Sequence, residues 1–513
     1  MQLPRFALWL EQMSQDNSYK QILRSTSIMG GAQAVNYLVG LLRVKAVAVL
    51  LGPVGVGLMG VYASVMAVIG SLTALGIASS GVRSVADAYG RADPKHAAKV
   101  VLVLRRLCWF TGLLGWVASV LLAGPISRWV AGSDAHAPEI AVLGCTLLFG
   151  AISAGQIALL QGLRRISDIA RINVWGVVIN TLVAISVYAW LGEDGIVPVM
   201  MTSALVTLIL SYLFARRVEI DSVYLSWRET WHQAAYLVGL GLVLMWSSLL
   251  TTGVDMFTRS LITREFGLDA AGIYQAAWSL SGMFAAFILQ AMGADFYPRL
   301  TAVIGDHSAA TQAVNEQTEI GILLALPGFL ATLAFAPWII EILYSKEFSS
   351  AADLLVWMVV GVFGRVISWP MSFVQLALGA SRWFMATESV FVGLQALLMV
   401  VLIPRLGVAG AAYGIALLYV AYTIGMLALA RMLIDFRWST SVRRLILSSG
   451  ALMALGLINQ QIFSRDWQWL TGSIFFFCGV VISTRGLSHR LGSDHRLTKW
   501  LSRLPRGTWW TRT

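Results

Sequence analysis

Fourteen stretches of this chain run for about 20 residues or more with almost no charge, the length a helix needs to cross the hydrocarbon of a bilayer. Lipid offers a backbone no water to bond with, so such stretches are restricted to helices that close their own hydrogen bonds. The expected fold class is an all-α membrane protein of about 14 transmembrane helices. The segments lie at roughly 26–51, 57–80, 101–123, 138–162, 172–191, 196–215, 234–262, 270–295, 318–338, 352–379, 383–403, 408–431, 443–463 and 467–485. With 58% hydrophobic and 12% charged residues, a water-soluble fold would lack the polar surface to cover itself. The breaks are short and rich in turn formers, as in Gly52-Pro53, Gly192-Glu193-Asp194-Gly195 and Pro404-Arg405-Leu406-Gly407.

Several of these signals occur twice, 215 residues apart. Leu51-Gly52 followed by Gly57-Leu58 returns as Phe266-Gly267 followed by Gly272-Ile273. Gly192 and Gly195 fall on Gly407 and Gly410, and Asn173 and Asn180 fall on Glu388 and Gln395. Each copy also places an arginine inside an apolar segment, Arg43 and Arg259, within one position of the same register. The chain therefore reads as a duplication that frames a polar site. Six segments per copy is an even number, so both copies enter the membrane in the same sense, as parallel repeats. Such folds place a substrate site between lobes and expose it to each side in turn. The expected organisation is an N-lobe at 1–233, a C-lobe at 234–440, and a further helix pair with a basic tail at 441–513.

Orientation follows from lysine and arginine, which accumulate in short cytoplasmic loops. The termini and the loops after segments 2, 4, 6, 8, 10 and 12 hold 28 of them, against 5 on the opposite side, so both termini are expected in the cytoplasm. The richest clusters are Arg83, Arg91, Lys95, Lys99, Arg105 and Arg106, and then Arg431, Arg437, Arg443 and Arg444. The formal charge of +11 is thus explained by topology and by attraction to anionic headgroups of the membrane lipids, and requires no nucleic acid. Phe6, Trp9, Leu10 and Met13 follow helical spacing among charges and amides, which suits an interfacial helix better than a cleaved signal. In the tail, Trp500, Leu504, Trp509 and Trp510 alternate with Arg496, Lys499, Arg503 and Arg506 in the same style.

Soluble chemistry has no obvious home. Loops between segments are no longer than about 20 residues, well below the size of a catalytic domain. All six histidines lie in expected loops or tails without metal-ligand spacing, so neither a metal nor another cofactor is expected beyond a coupling Na+ or H+. Cys108, Cys145 and Cys478 sit singly in apolar segments and read as small buried residues.

The remaining charges are those inside the membrane, each costing about 2.5–3.5 kcal/mol on insertion scales. Gln33, Asn36, Gly40 and Arg43 trace one face of segment 1, a polar stripe suited to a cavity, whereas Lys45 points elsewhere and is near enough to the interface to snorkel. Ser248, Thr252, Asp255 and Arg259 form a similar stripe on segment 7. Asp255 and Arg259 are one turn apart, so Asp255 is either a counter-ion or a coupling site. Arg365 lies midway along segment 10, a turn before Trp369 and Pro370, where proline removes a backbone hydrogen bond and bends the helix. Glu388, near the start of segment 11, is a candidate proton carrier or a partner for Arg382 or Arg365. Arg83 is a topology charge or a guard at the inner mouth. Arginine forks suit phosphate, because two parallel hydrogen bonds fit its oxygens, so this balance of charge favours an anionic cargo such as a diphosphate.

Over nearly its whole length the chain resembles Wzx-type polysaccharide translocases, within the superfamily that also holds lipid II flippases and MATE transporters. The resemblance is carried by LLGPVGVGLMGVY after segment 1, REFGLDAAGIYQAAWSL after segment 7, ADFYPRL ending segment 8, LYSKEFSSAADLLVWMVVG leading into segment 10, and GASRWFMATE opening segment 11. It implies a flippase moving an undecaprenyl-diphosphate-linked oligosaccharide across the bacterial inner membrane by alternating access, for O-antigen, lipopolysaccharide or exopolysaccharide assembly. It implies cavity arginines and lysines from the first helices of each lobe, a pattern that Arg43 and Arg259 match by position and Arg83 less closely, and a polysaccharide polymerase and chain-length proteins as candidate partners. Together with Arg365, Lys45 and Asn36 from the charge pattern, those three arginines are the candidate substrate-binding residues, and Asp255 and Glu388 are the candidate coupling or counter-ion residues. Twelve helices are common in such translocases, and the extra pair here resembles the lipid II branch, so lipid II stays open as cargo. With the cell interior negative, outward movement of a diphosphate is favoured by about 2.3 kcal/mol per charge per 100 mV. A cation-coupled drug antiporter of the MATE type would need an excess of intramembrane carboxylates. A membrane glycosyltransferase or polymerase would need a sizeable polar outer loop.

Overall fold

The computed structural model describes residues 3–90, 93–221, 223–462 and 465–491. The tryptophan-rich basic tail and the side chains of Phe6, Trp9, Leu10 and Met13 lie outside the described residues, as does Arg91. The described chain is helical, with no strand: α1 (Leu3–Thr73), α2 (Ile77–Gly90), α3 (Pro94–Ala131), α4 (Ala137–Gly162), α5 (Ile166–Leu191), α6 (Ile196–Ala215), α7 (Trp227–Val303), α8 (His307–Leu343), α9 (Ala351–Ala377), α10 (Ser381–Leu406), α11 (Ala409–Ile434), α12 (Thr440–Ile462) and α13 (Arg465–Leu491).

Among the described residues, ten stretches are long and apolar enough to cross a membrane. Two of them, Val35–Thr73 and Ile166–Ala215, each contain a glycine of positive φ, Gly52 and Gly192, and α7 contains another, Gly267. Divided at Gly52 and Gly192 the ten become twelve, and α7, divided at Gly267, adds two helices where the sequence places segments 7 and 8. The chain does not fully separate segments 1 and 2, or 7 and 8. Gly52 (φ 62°) and Gly267 (φ 86°) kink two very long helices, a conformation open to glycine because it has no Cβ. Segment 2 is also shorter than expected, since Leu75 and Gly76 turn left-handed after Thr73 and α2 begins as a separate element. α9 continues helically through Pro370.

The duplication extends to hydrogen bonds. At the end of α4, Arg164 N donates to Gln161 O at 3.0 Å, Arg165 N to Leu160 O at 2.8 Å, and Ile166 N to Arg164 O at 2.8 Å. At the end of α9 the same closure recurs 215 residues on, with Gly379 N to Leu376 O at 3.0 Å, Ala380 N to Gln375 O at 2.9 Å, and Ser381 N to Gly379 O at 2.9 Å. Each is a helix end that bonds its last carbonyls through a left-handed residue, Arg164 in one copy and Gly379 in the other. α5 and α10 then begin and end in register. Two further starts are capped by aspartate, with Asp93 accepting from His96 N at the head of α3 and Asp306 from Ser308 N and Ala309 N at the head of α8. α7 opens on a capping box in which Glu229 accepts from both Ser226 N and Ser226 Oγ. Those bonds, the hydroxyl's first, hold the Glu229 carboxyl below its usual range.

The chain forms two compact units, Met1–Gly55 with Val61–Met256, and Val56–Gly60 with Phe257–Thr513. Within a membrane, helices associate through close packing, and small residues let backbones approach. In the first unit Gly112 and Gly155 do this between α3 and α4, the former under Leu148 and the latter against Cys108 Sγ. In the second, Gly361 packs on Ile415 and Gly364 on Tyr419, which joins α9 to α11. The extra helix pair belongs to the second unit. Gly472, Gly479 and Gly486, seven residues apart on α13, receive Ala334, Leu330 and Leu323 of α8. At the end of the pair, Arg490 of α13 forms an ion pair with the buried Glu319 of α8, and Ser441 of α12 donates to the same carboxylate at 2.8 Å.

Candidate functional site

Among the described residues of the second unit, Arg259 is a buried cation, only 9% exposed. Its Nε donates to Gln275 Oε1 at 3.0 Å, and Gln275 Nε2 donates to Ser279 Oγ at 2.9 Å. Ser279 is also hydrogen-bonded to Tyr344, itself buried beyond the end of α8. Gln275 is neutral, so this hydrogen bond fixes the direction of the guanidinium without cancelling its charge. Room for the amide comes from Gly60, where a Cβ would stand 2.9 Å from Gln275 Oε1. Gly60 and Gln275 are equivalent positions of the two copies.

A second polar cluster in the same unit joins Arg365 of α9, Glu388 of α10 and Tyr422 of α11. Both charges act on the Tyr422 hydroxyl, which is also hydrogen-bonded to Ser372. Tyr419 and Phe391 enclose it, with ring centroids 6.2 and 4.7 Å from that of Tyr422. Arg365 is exposed on its helix and Glu388 half-buried, and both act on one tyrosine hydroxyl, while Arg365 is one of the two partners that the sequence offers for Glu388.

In the first unit, Arg43 is half-buried on α1 and acts electrostatically on Tyr188 of α5. Two turns toward the start of each helix lie Asn36 and Asn180, and each buries a carboxamide oxygen that has no hydrogen-bond partner among the described residues. An orphaned buried acceptor costs about 1–3 kcal/mol, which a ligand or water donor would recover. Lys45 is half-buried and engaged in an interaction of its own, and Arg83 is exposed on α2. On α7 the stripe runs from the exposed Ser248 through half-buried Thr252 and Asp255 to buried Arg259. The Thr252 hydroxyl lies 3.1 Å from that of Ser71. Asp255 is likewise engaged in an interaction.

Sequence reasoning passed over Gln275, Ser279, Tyr344, Tyr188 and Tyr422, because it searched apolar segments for formal charge. A signal existed for the first two. Gln275 and Ser279 are polar, one turn apart, and sit within an apolar segment at the register position of Gly60.

Residues 46–353, more than half of the chain, match the family described as polysaccharide biosynthesis protein. The chain belongs to that family. By sequence the chain is similar to the lipid III flippase of Escherichia coli (strain K12), 25% identical over 394 residues that cover 75% of this chain and 92% of the relative. Its fold is that of the lipid II flippase MurJ in an inward closed conformation, with a TM-score of 0.68 at 12% identity, covering 90% of this chain and 99% of that one. An inward-facing multidrug resistance MATE transporter of the MOP superfamily superposes with a TM-score of 0.67 at 17% identity, covering 80% of this chain and 96% of that one. A multi-pass fold of this family thus carries the arginine clusters described above.

Proposed function

We propose that this protein is a transporter, not an enzyme, and moves a polyprenyl-diphosphate-linked oligosaccharide from the inner to the outer leaflet of a bacterial cytoplasmic membrane by alternating access. The observation that carries the reading is Arg259, a buried arginine aimed by a neutral glutamine inside a membrane helix. The hydrogen bond from Nε to Gln275 fixes the plane of the guanidinium, and a planar fork suits phosphate because two parallel hydrogen bonds fit its oxygens. Arg365 supplies a second guanidinium in the same unit and Arg43 one in the other, and Asn36 offers a hydrogen-bonding amide near Arg43's face. The family's description, and the lipid III flippase that matches over most of its length, support a lipid-linked glycan as cargo. Both termini face the cytoplasm in this reading, and the cargo serves cell-surface polysaccharide such as O-antigen.

Arg43→Ala, Arg259→Ala and Arg365→Ala, each expressed in a strain lacking the gene, are expected to insert normally. They should leave lipid-linked glycan on the inner leaflet, with export reduced at least about tenfold, as the loss of one charge-assisted contact predicts. Lysine at the same positions should restore part of the activity, because a point charge keeps attraction but loses the two-pronged geometry. Full export by all three alanine variants would remove these arginines from cargo binding.

A further inference from the structure

A cavity of about 710 Å³ opens in the first unit between α3, α4 and α6 and the segment that follows α6, apart from every residue assigned above to cargo. Its walls are apolar, including Trp109 of α3, Leu148, Phe149 and Ile152 of α4, and Ile209 of α6. The polar side chains of its lining are Arg105, Gln156, Tyr212 and Arg216. Ser211 donates to Oε1 of the lining residue Gln156 at 2.6 Å.

The two arginines differ from their chain neighbours. Arg106 is committed to the fold, donating to Leu225 O at 2.9 Å and Thr230 Oγ1 at 2.7 Å with its guanidinium 4.7 Å from the Trp227 ring. Arg217 lies 4.6 Å from the Phe214 ring. Arg105 and Arg216 are exposed, and among the described residues neither guanidinium has a carboxylate within salt-bridge distance; the charge of Arg105 acts on the Tyr89 hydroxyl of α2, as does that of Asp221. In each adjacent pair, one arginine holds the structure and the other faces the cavity.

The dimensions match a lipid. Leu159 and Leu148 bound the cavity along α4, and the eleven-residue step from one to the other rises about 16 Å, close to the roughly 15 Å of one hydrocarbon leaflet. Both arginines belong to the lysine- and arginine-rich side, which puts their guanidinium groups at the cytoplasmic headgroups. The basic C-terminal tail is a poor occupant, since Arg496, Lys499, Arg503 and Arg506 would face two like charges.

From this we infer that the α3–α4–α6 cavity binds an anionic phospholipid of the cytoplasmic leaflet, its phosphate on Arg105 and Arg216 and an acyl chain along Trp109, Phe149 and Ile152. The site is independent of cargo transport and would tie the protein to membranes rich in anionic lipid.

The test uses the full chain in nanodiscs with a phosphatidylglycerol probe that carries a photoreactive group on an acyl chain. Label is expected in peptides containing Trp109, Phe149 or Ile209, and unlabelled phosphatidylglycerol should compete far better than phosphatidylcholine. Arg105→Ala with Arg216→Ala should weaken labelling roughly thirtyfold, from about fivefold for each arginine near an anionic surface. Arg217→Ala should not. Ile152→Trp, which fills the apolar floor while both arginines remain, should also abolish it, with an unchanged melting temperature showing that the protein still folds. Equal competition by the two lipids would reveal ordinary annular lipid and overturn the proposal. So would undiminished labelling in the double arginine variant, or crosslinks from residues 492–513 into the cavity.

Discussion

Gly57 and Gly272 occupy the same place in the two copies of the duplication, and their backbones meet: a Cβ on Gly57 would stand 2.8 Å from Gly272 N and collide with the Leu268 carbonyl. Three residues further, Gly60 faces its own counterpart Gln275. The first contact tolerates nothing larger than hydrogen because what it meets is main chain. Gly57→Val is expected to cost about 1–3 kcal/mol, the range for overpacking a filled site, and to lower the melting temperature of the purified protein. Gly60→Ala meets only a side-chain amide, so it should leave melting nearly unchanged yet reduce glycan export by displacing Gln275 from Arg259. Equal effects of the two changes on stability would contradict this division.

Gln275 separates charge from geometry at Arg259. Gln275→Glu keeps the shape and the acceptor but pairs the arginine with a carboxylate, so export is expected to fall by roughly an order of magnitude or more while insertion persists. Gln275→Asn withdraws the acceptor without adding charge and should fall between that variant and the wild type. The readout is surface glycan in a complemented null strain. An active Gln275→Glu protein would mean that Arg259 does not meet an anion.

Arg365 and Glu388 face one tyrosine, and two roles for the glutamate make different demands. As a counter-charge to Arg365, Glu388→Gln should export more slowly yet respond to an imposed pH or sodium gradient as the wild type does, and this is the expected result. As a coupling site, it would lose that response. Vesicle transport measured with and without each gradient distinguishes the two, and the same assay on Asp255→Asn applies the question to the other intramembrane carboxylate. Tyr422→Phe should resemble Glu388→Gln, because the hydroxyl is the group both charges share.

The fold was legible because lipid imposes one answer on each apolar run, and because glycines that must take positive φ recur at a fixed interval. Gly52 with Gly267, and Gly192 with Gly407, announce the kinks and turns that the helices then show. The pairing of Arg164 with Gly379 was not legible, since one member is not glycine and only the hydrogen bonds reveal the common closure. Among site residues, formal charge marked Arg43, Arg259 and Arg365, but the groups that orient them are neutral and their contacts arise in packing. Tyr422 lies 57 residues from Arg365 and 34 from Glu388, so no local pattern joins the three.

Topology has a direct test in a background from which Cys108, Cys145 and Cys478 are removed, the last being exposed in the described structure. Single cysteines at Asp194 and Lys346, both exposed, should react with an impermeant thiol reagent from outside intact spheroplasts. Those at Glu219 and Ser439, also exposed, should react only after the membrane is opened. The reverse pattern would invert the orientation and, with it, the leaflet assigned to the lipid cavity.

Arg164 adopts φ 54° where its counterpart Gly379 adopts φ 66°, in otherwise matching helix closures. A left-handed conformation costs a residue with a Cβ about 1–2 kcal/mol, against about 0.4–1 kcal/mol for the extra freedom glycine brings to the unfolded chain. The difference favours glycine. Arg164→Gly should therefore hold or raise stability by up to about 1 kcal/mol, and Gly379→Ala should lower it by a similar amount. Thermal unfolding of the two variants in the same detergent measures both. If Arg164→Gly instead loses stability, the arginine side chain makes a contribution larger than its backbone strain, and the first copy's closure is held by more than the hydrogen bonds it shares with the second.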